Sequence, residues 1–223
     1  MVKEEVWKYG TIDRSSTQYI KEFYKRLAEQ TIKSFEKNNI KAYYVSDRKE
    51  AFKMLMEMIP EGASVSYGDS VTLHQIGIIS ELRKDGYNFT DPWAEEGLSY
   101  EKTLELRRKA LTVDVFLSGT NAVTQDGKLV NIDGWGNRVA GLMFGPKKVI
   151  IVAGVNKIVK NVDEGVKRAR EIAAPLNALR HGSDLGKPDS WNTGMYTAII
   201  EGESHIYKEQ RMHVIIIEEE LGF

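Results

Sequence analysis

Two compact polar motifs, both rich in glycine and asparagine, carry most of the side chains in this chain that are suited to chemistry. They are GTNAVT, at residues 119–124, and NIDGWGNR, at residues 131–138. Glycines let a ligand approach the main chain, while asparagine and arginine side chains offer directed hydrogen bonds. The alternative is that both motifs are ordinary turns, and the Asp126-Gly127 pair between them is typical of a β-hairpin.

The first interpretation assigns a role to each residue of these motifs. Glycines would shape a cleft, amides and a hydroxyl would orient a ligand, and an arginine would neutralise its charge. The predicted ligand-binding residues here are Gly119, Thr120, Asn121, Gly134, Gly136, Asn137 and Arg138. Asp133, between a strand and a glycine turn, is the first candidate for a general base, although it can instead simply fix its own turn.

A third loop lies in the motif YGDS, which begins at Tyr67. Its order of elements is typical of an anion-binding site. A strand, then Gly68, then Ser70 opening a helix would present unpaired N–H groups to an anion. Asp69 opposes a bare phosphate, because like charges about 4 Å apart repel by about 4 kcal/mol at an effective dielectric near 20. Asp69 therefore caps the helix or receives a ligand hydroxyl or proton, which makes it the second candidate base. Ser70 and Thr72 can cap or bind in the same way.

Two more polar residues, Asn156 and Lys157, follow another strand-like run. The lysine either neutralises an anion or is exposed beside the end of the strand. His74 is a weak candidate, because no second histidine stands at metal-ligand spacing, and we predict no metal site.

Five apolar runs predict the strands that must position these loops. Residues 40–45, 63–67, 113–117, 149–153 and 213–217 are short and mostly continuous, which is typical of strands covered on both faces. Amphipathic stretches between them predict helices. We therefore predict an α/β fold with a mostly parallel central sheet, helices on both faces and a small C-terminal β extension.

The same topology predicts where a ligand binds. In such sheets ligands lie beyond the carboxyl ends of the strands, so the loops that contain Gly68, Asn121 and Lys157 should converge at one edge.

Residues 1–39 are expected to form a helical segment that packs on a single domain of residues 40–223. The Gly- and Ser-rich residues 182–194, with Trp191 at their centre, predict a lid or an interface loop. Trp93 either anchors a charged helix to the body or contacts another subunit.

Composition limits the classes of function. The 31 basic and 32 acidic residues are interspersed and leave a net charge of −1, which argues against a nucleic-acid partner. The absence of a long apolar window predicts no membrane insertion and a cytoplasmic location. The chain has no cysteine, which excludes disulfides, thiolate nucleophiles and cysteine-ligated metals.

Several motifs in a fixed order resemble the LUD-domain family of lactate-utilisation proteins. They are GTNAVT, DGKLVNIDGWGNRVAGL and GPKKVIIVAGVNKIV, together with YGDSVTLHQIGI before them and HVIIIEEELGF after them. The resemblance begins near residue 15. It implies a fold similar to that of sugar-phosphate isomerases, glucosamine-phosphate deaminases and CoA transferases (NagB/RpiA/CoA-transferase-like). It also adds Asn177 and Arg180 as site candidates, although Arg180 is equally suited to a structural role at a helix end.

One departure from the family limits what the resemblance implies. Many relatives carry a cysteine cluster in the stretch equivalent to residues 182–196, and this chain has none. An iron–sulfur role therefore does not transfer to it.

Three hypotheses about function follow. The first is a protein of lactate utilisation that binds a small anionic or nucleotide-like ligand at the sheet edge. The second is an enzyme similar to sugar-phosphate isomerases or CoA transferases, although no Glu-Asn-Gly triplet is present. The third is a non-catalytic subunit that assembles iron–sulfur or other redox partners. Catalysis, cofactor identity and self-association into a homo-oligomer stay open.

Overall fold

The computed structural model describes residues 17–93, 97–182 and 194–223. The predicted lid around Trp191 lies outside the described residues. The α-helices are α1 Thr17–Lys37, α2 Arg48–Met58, α3 Val71–Ile76, α4 Ile78–Leu82, α5 Tyr100–Lys109, α6 Asn137–Met143, α7 Val162–Arg168 and α8 Ala174–Arg180. Short 3₁₀ turns cover Ala110–Thr112 and Val155–Lys157, and a π-helical segment covers Ala169–Ala173.

The strands form two sheets. They are β1 Lys41–Val45, β2 Ser64–Tyr67, β3 Asn88–Thr90, β4 Val115–Gly119, β5 Ala122–Thr124, β6 Leu129–Asp133, β7 Lys148–Gly154, β8 Ile158–Val159, β9 Tyr196–Ile200 and β10 Met212–Ile217. The larger sheet has six strands in the order β1-β10-β7-β4-β2-β3, and every pairing in it is parallel. This arrangement confirms the predicted α/β class with a parallel central sheet.

Alternate residues of the central strands point to opposite faces of the large sheet, as the two-residue period of a strand requires. Phe116 lies in one buried apolar cluster, whereas its neighbours Val115 and Leu117 lie in the other. Helix α1 contributes Ala28 and Phe35 to the first cluster. Helices α2, α3 and α4 contribute to the second, so both faces are covered and the apolar runs of the sequence are explained.

The smaller sheet has the order β8-β5-β6-β9. Strands β5 and β6 form an antiparallel hairpin through Asp126-Gly127, where Gly127 has a φ of +77°. The expected C-terminal extension is thus one strand, β9, added antiparallel to a sheet built mainly from the middle of the chain. Strand β10 instead enters the large sheet between β1 and β7.

No helix in the described ranges has the length and apolarity needed to cross a membrane.

Candidate functional site

A cavity of about 590 Å³ opens at the carboxyl edge of the large sheet, between that sheet, the smaller sheet and helix α8. All the residues predicted for the site line it except Gly136 and Asn156. They meet there because β2 ends at Tyr67, β4 at Gly119 and β7 at Gly154. Strand β4 pairs in parallel with both β2 and β7, so the three strand ends lie side by side. The convergence expected from topology is therefore present in the structure.

Arg138, at the start of α6, is mostly buried, with its side chain 14% exposed, and it is bonded to the protein. Its Nη1 donates to Asn131 Oδ1 at 2.6 Å and, at 3.4 Å, to Gly119 O. Its Nη2 donates to Ile132 O at 2.7 Å and to Asn121 Oδ1 at 3.2 Å. The guanidinium joins β4 to β6, so its donors serve the fold and do not support the charge-neutralising role expected from the sequence.

Two of the predicted glycines are needed for packing within the protein. A Cβ on Gly68 would lie 2.5 Å from Cγ of Arg138, and one on Gly119 would lie 2.7 Å from Oγ of Ser70. Such distances are too short for carbon and oxygen atoms in contact. The close approach that the sequence suggested for a ligand is made here by side chains of the chain itself.

Asp133 stabilises the turn that leads into α6. Its Oδ1 accepts a hydrogen bond from Trp135 N at 3.2 Å, and its Oδ2 accepts one from Val139 N at 3.0 Å. Oδ2 also lies 3.9 Å from Nε of Arg138. With both oxygens engaged, the geometry supports the turn-fixing alternative for Asp133 over the general base.

Asp69 is held by an arginine from a distant helix. Its two oxygens accept hydrogen bonds from Arg180 Nη1 at 3.0 Å and Nη2 at 2.5 Å. Its φ of +30° is unusual for a residue with a side chain. Helix α3 is capped by Ser70, whose Oγ accepts from Leu73 N at 3.4 Å, so the cap proposed for Asp69 is wrong. The ion pair closes one side of the cavity.

Lys157 is a buried basic residue without an acidic partner among the described residues. Its residue is 3% exposed, and its Nζ donates to Thr72 Oγ1 at 3.2 Å. Within the described ranges no carboxylate lies within 4.0 Å of it. Burial, reinforced by the positive charges of Arg168 and Arg138, lowers the pKa of Lys157 to about 7.

Arg107 of α5 also lines the cavity, and sequence reasoning missed it. Its guanidinium carbon lies 4.2 Å from the ring centre of Trp135 and 5.6 Å from that of Trp93. Its Nε and Nη1 are buried and have no acceptor among the described residues. The residue stands in a run of charges that reads as a solvated helix face, and nothing in that pattern separates it from its neighbours.

Other predicted residues support the cavity wall. Asn156, which does not line the cavity, accepts from Leu221 N at 3.2 Å and donates to Gly222 O at 3.4 Å. Asn177 Oδ1 accepts from Arg180 Nη2 at 2.9 Å. Thr120 donates to backbone carbonyls at 3.1 and 3.2 Å. Gly136, with a φ of +81°, starts α6 outside the cavity. Asn121, Gly134 and Asn137 also line the cavity.

A π-helical segment forms part of the wall. Helices α7 and α8 continue each other through Ala169–Ala173, and Pro175 follows immediately. Proline lacks an N–H and crowds the carbonyl four residues earlier, so the wider π turn accommodates it within a continuous helical path. Alanines of this path, among them Ala169, Ala173 and Ala178, face the cavity and keep it open.

The described residues contain no group of three histidine or acidic side chains arranged to hold a metal ion.

Comparison with known proteins gives one family. Residues 28–217 match the model of the LUD domain. No curated protein sequence shows significant similarity to the chain. Among solved structures the chain is similar to a DUF162 family protein from Deinococcus radiodurans, with 17% identity, a TM-score of 0.48 and coverage of 88% of this chain and 98% of that one. It is also similar to eIF2B delta from Chaetomium thermophilum, with 19% identity, a TM-score of 0.31 and coverage of 65% and 55%.

Proposed function

The chain belongs to the LUD-domain family, and we propose that it binds a small anionic or nucleotide-like ligand in the cavity at the edge of its large sheet. Family membership makes it a lactate-utilisation-type domain protein. A role in lactate oxidation and a cytoplasmic location are parts of the same proposal.

One observation carries the proposal: two cationic side chains, Lys157 and Arg107, face the same cavity without a carboxylate partner among the described residues. A buried cation that lacks an acceptor raises the free energy of the folded protein. An anionic ligand would supply the missing acceptors and offset that cost through charge-assisted hydrogen bonds.

The aromatic groups and the size of the cavity favour a ligand larger than lactate. Trp135 is 52% exposed and stacks on Arg107, next to Trp93, so it offers a flat apolar surface beside a positive charge. A volume of about 590 Å³ lies in the range of cofactor sites. A nucleotide or a similar planar anion satisfies both features.

The enzyme hypothesis has less support from the geometry. Asp133 and Asp69 were the candidate bases, and their carboxylates are engaged by backbone N–H groups and by Arg180. The assembly-subunit hypothesis differs from ours in a measurable way, because it requires no ligand in the cavity.

The test is a binding screen of lactate, pyruvate, phosphate, nucleotides, CoA and sugar phosphates by thermal shift and calorimetry. A ligand at 100 times its Kd stabilises a protein by about 2.7 kcal/mol. We expect Arg107→Gln to weaken a binder about ten-fold or more, since a hydrogen bond to a charged group contributes about 1.5 to 3 kcal/mol. Arg108→Gln, on the same helix but exposed, is the matched control.

Binding that survives both Arg107→Gln and Lys157→Met would contradict the proposal, and so would a screen without any binder. In the second case, capture of redox partners by the variants as well as by the wild type would favour the assembly subunit.

A further inference from the structure

The amine of Lys157 has an unusual position for a lysine. It follows β7 directly, in the 3₁₀ turn Val155–Lys157, and its side chain is buried yet lines the cavity. Its Nζ donates to Thr72 Oγ1 at 3.2 Å, and the Thr72 hydroxyl donates in turn to Leu221 O at 3.5 Å. In this arrangement Lys157 Nζ is the donor, and no described residue donates a hydrogen bond to it.

The surroundings of this amine disfavour its charged form. Arg138 and Arg168 lie near it, and each is bonded to carbonyl or amide oxygens of the protein. No carboxylate among the described residues is close enough to balance a third positive charge. Burial and these two charges lower the pKa of Lys157 to about 7, so a large fraction of the amine is neutral at neutral pH.

The amine is also held in place by the segment that covers it. A Cβ on Gly222 would lie 2.4 Å from Thr72 Oγ1 and 3.1 Å from Lys157 Nζ, so this segment packs directly on the pair. Gly222 N donates to Gln75 Oε1 at 2.7 Å, which fixes the segment to α3. An amine that is partly neutral and faces a cavity can act as a nucleophile.

We propose that Lys157 attacks a carbonyl carbon of the bound ligand and forms an imine, which makes the ligand a 2-oxo acid or another carbonyl compound that carries an anionic group. This inference rests on the proposed ligand cavity.

The step balances without a further reactant. The lone pair of Nζ forms the C–N bond while the carbonyl π electrons move to oxygen. The C–O bond then breaks, and the oxygen leaves as water with both amine protons. Nothing is oxidised or reduced, and the reaction reverses by hydrolysis.

The experiment is reductive trapping of the full chain with pyruvate and sodium cyanoborohydride, followed by intact mass measurement and peptide mapping. Among the lysines, we expect the main reduced pyruvate adduct on Lys157, forming at least about ten-fold faster than on any other at neutral pH, because an amine with the ordinary lysine pKa of about 10.4 is almost entirely protonated there. The rate at Lys157 should rise through about pH 7 and then level off. Lys160→Met, an exposed neighbour, should keep the adduct, and Lys157→Met should abolish it with an unchanged circular dichroism spectrum.

A second probe separates a wrong carbonyl from a wrong lysine. Competitive labelling with trace acetic anhydride reports the reactivity of each amine without any ligand. Faster acetylation of Lys157 than of the other lysines supports the inference, and a Lys157 that is neither acetylated faster nor trapped by pyruvate overturns it. Anion binding without trapping or acetylation would overturn this inference alone and leave the proposed function in place. Trapping of pyruvate on Lys157 would support both proposals, because the anion must enter the cavity to react.

Discussion

The cavity has a floor and a rim, each built around one arginine, and the two side chains have opposite surroundings. The floor consists of Arg138 and three of its acceptor residues, Gly119, Asn121 and Ile132, and the rim consists of Trp93 and Trp135 around Arg107. Arg138 donates to four protein acceptors, whereas Arg107 donates to none among the described residues and only stacks on indole rings. The first arginine joins the two sheets, whereas two donors of the second are buried without an acceptor among the described residues.

Lys157 gives the same contrast in a titratable group. A buried arginine keeps its charge, so the protein must supply acceptors or leave the donors unpaired. A buried lysine can instead lose its proton and become neutral, and the lowered pKa of Lys157 reflects this tendency. Floor and rim therefore differ in whether the protein itself supplies hydrogen-bond acceptors for the positively charged group.

The largest expected effect is on the floor. Arg138→Met should lower the free energy of unfolding by about 3 to 5 kcal/mol, since it removes the donor to the buried Asn131 Oδ1 and the donors to Ile132 O and Gly119 O. Arg107→Met, the matched change at the rim, should cost less than about 1 kcal/mol because no hydrogen bond is lost. Chemical denaturation measures both. Equal costs would remove the distinction between floor and rim.

The next effect concerns Lys157 and depends on pH. Between a pKa of about 7 in the folded protein and the ordinary value of 10.5, the unfolded chain holds a proton that the folded protein has lost. The free energy of unfolding of the wild type therefore rises with pH across this window, by up to about 1.4 kcal/mol per pH unit from this group. Below the window the lysine is charged in both states, and the folded protein bears the whole cost of burying that charge.

Lys157→Met should lack this component, so the variant gains most over the wild type near pH 7 and the gain shrinks toward pH 10. Denaturation of both proteins at several pH values checks it, with Lys160→Met as control. A difference that stays constant with pH would show that the folded lysine is charged throughout.

A smaller effect is expected where the floor meets the loop after β2. Gly68→Ala should cost about 1 to 3 kcal/mol, because the new methyl group would overlap Cγ of Arg138. In an Arg138→Ala background the same change should cost much less, and a double-mutant cycle measures that coupling. Additive costs would mean that Gly68 is required for another reason, such as ligand access.

The smallest expected effect tests the candidate base. Asp133→Asn should cost about 1 kcal/mol, as for a lost cap, since one backbone N–H loses its acceptor. Affinity for any ligand found in the screen should change little. Unchanged stability together with a large loss of turnover would restore Asp133 as a general base.

Much of the fold followed from local pattern. Continuous apolar runs such as residues 149–153 indicate strands covered on both faces, because side chains alternate between the faces and both must be apolar. Boundaries were less accurate. The run at residues 113–117 became β4 Val115–Gly119, so Gly119 lies within a strand and not in the loop. The smaller sheet was largely missed, since β8 has only two residues and β9 pairs with a strand far away in the chain.

The sequence by itself determined the fold class and the edge at which the polar loops meet, because parallel strands place their carboxyl ends together whatever the side chains do. It did not determine what each side chain does there. Arg138, Arg107 and Lys157 are all cations near glycines or tryptophans, and only the tertiary structure decided which of them finds acceptors. The physical reason is that those acceptors, or their absence, come from segments distant in the chain, and burial sets how much a missing partner costs.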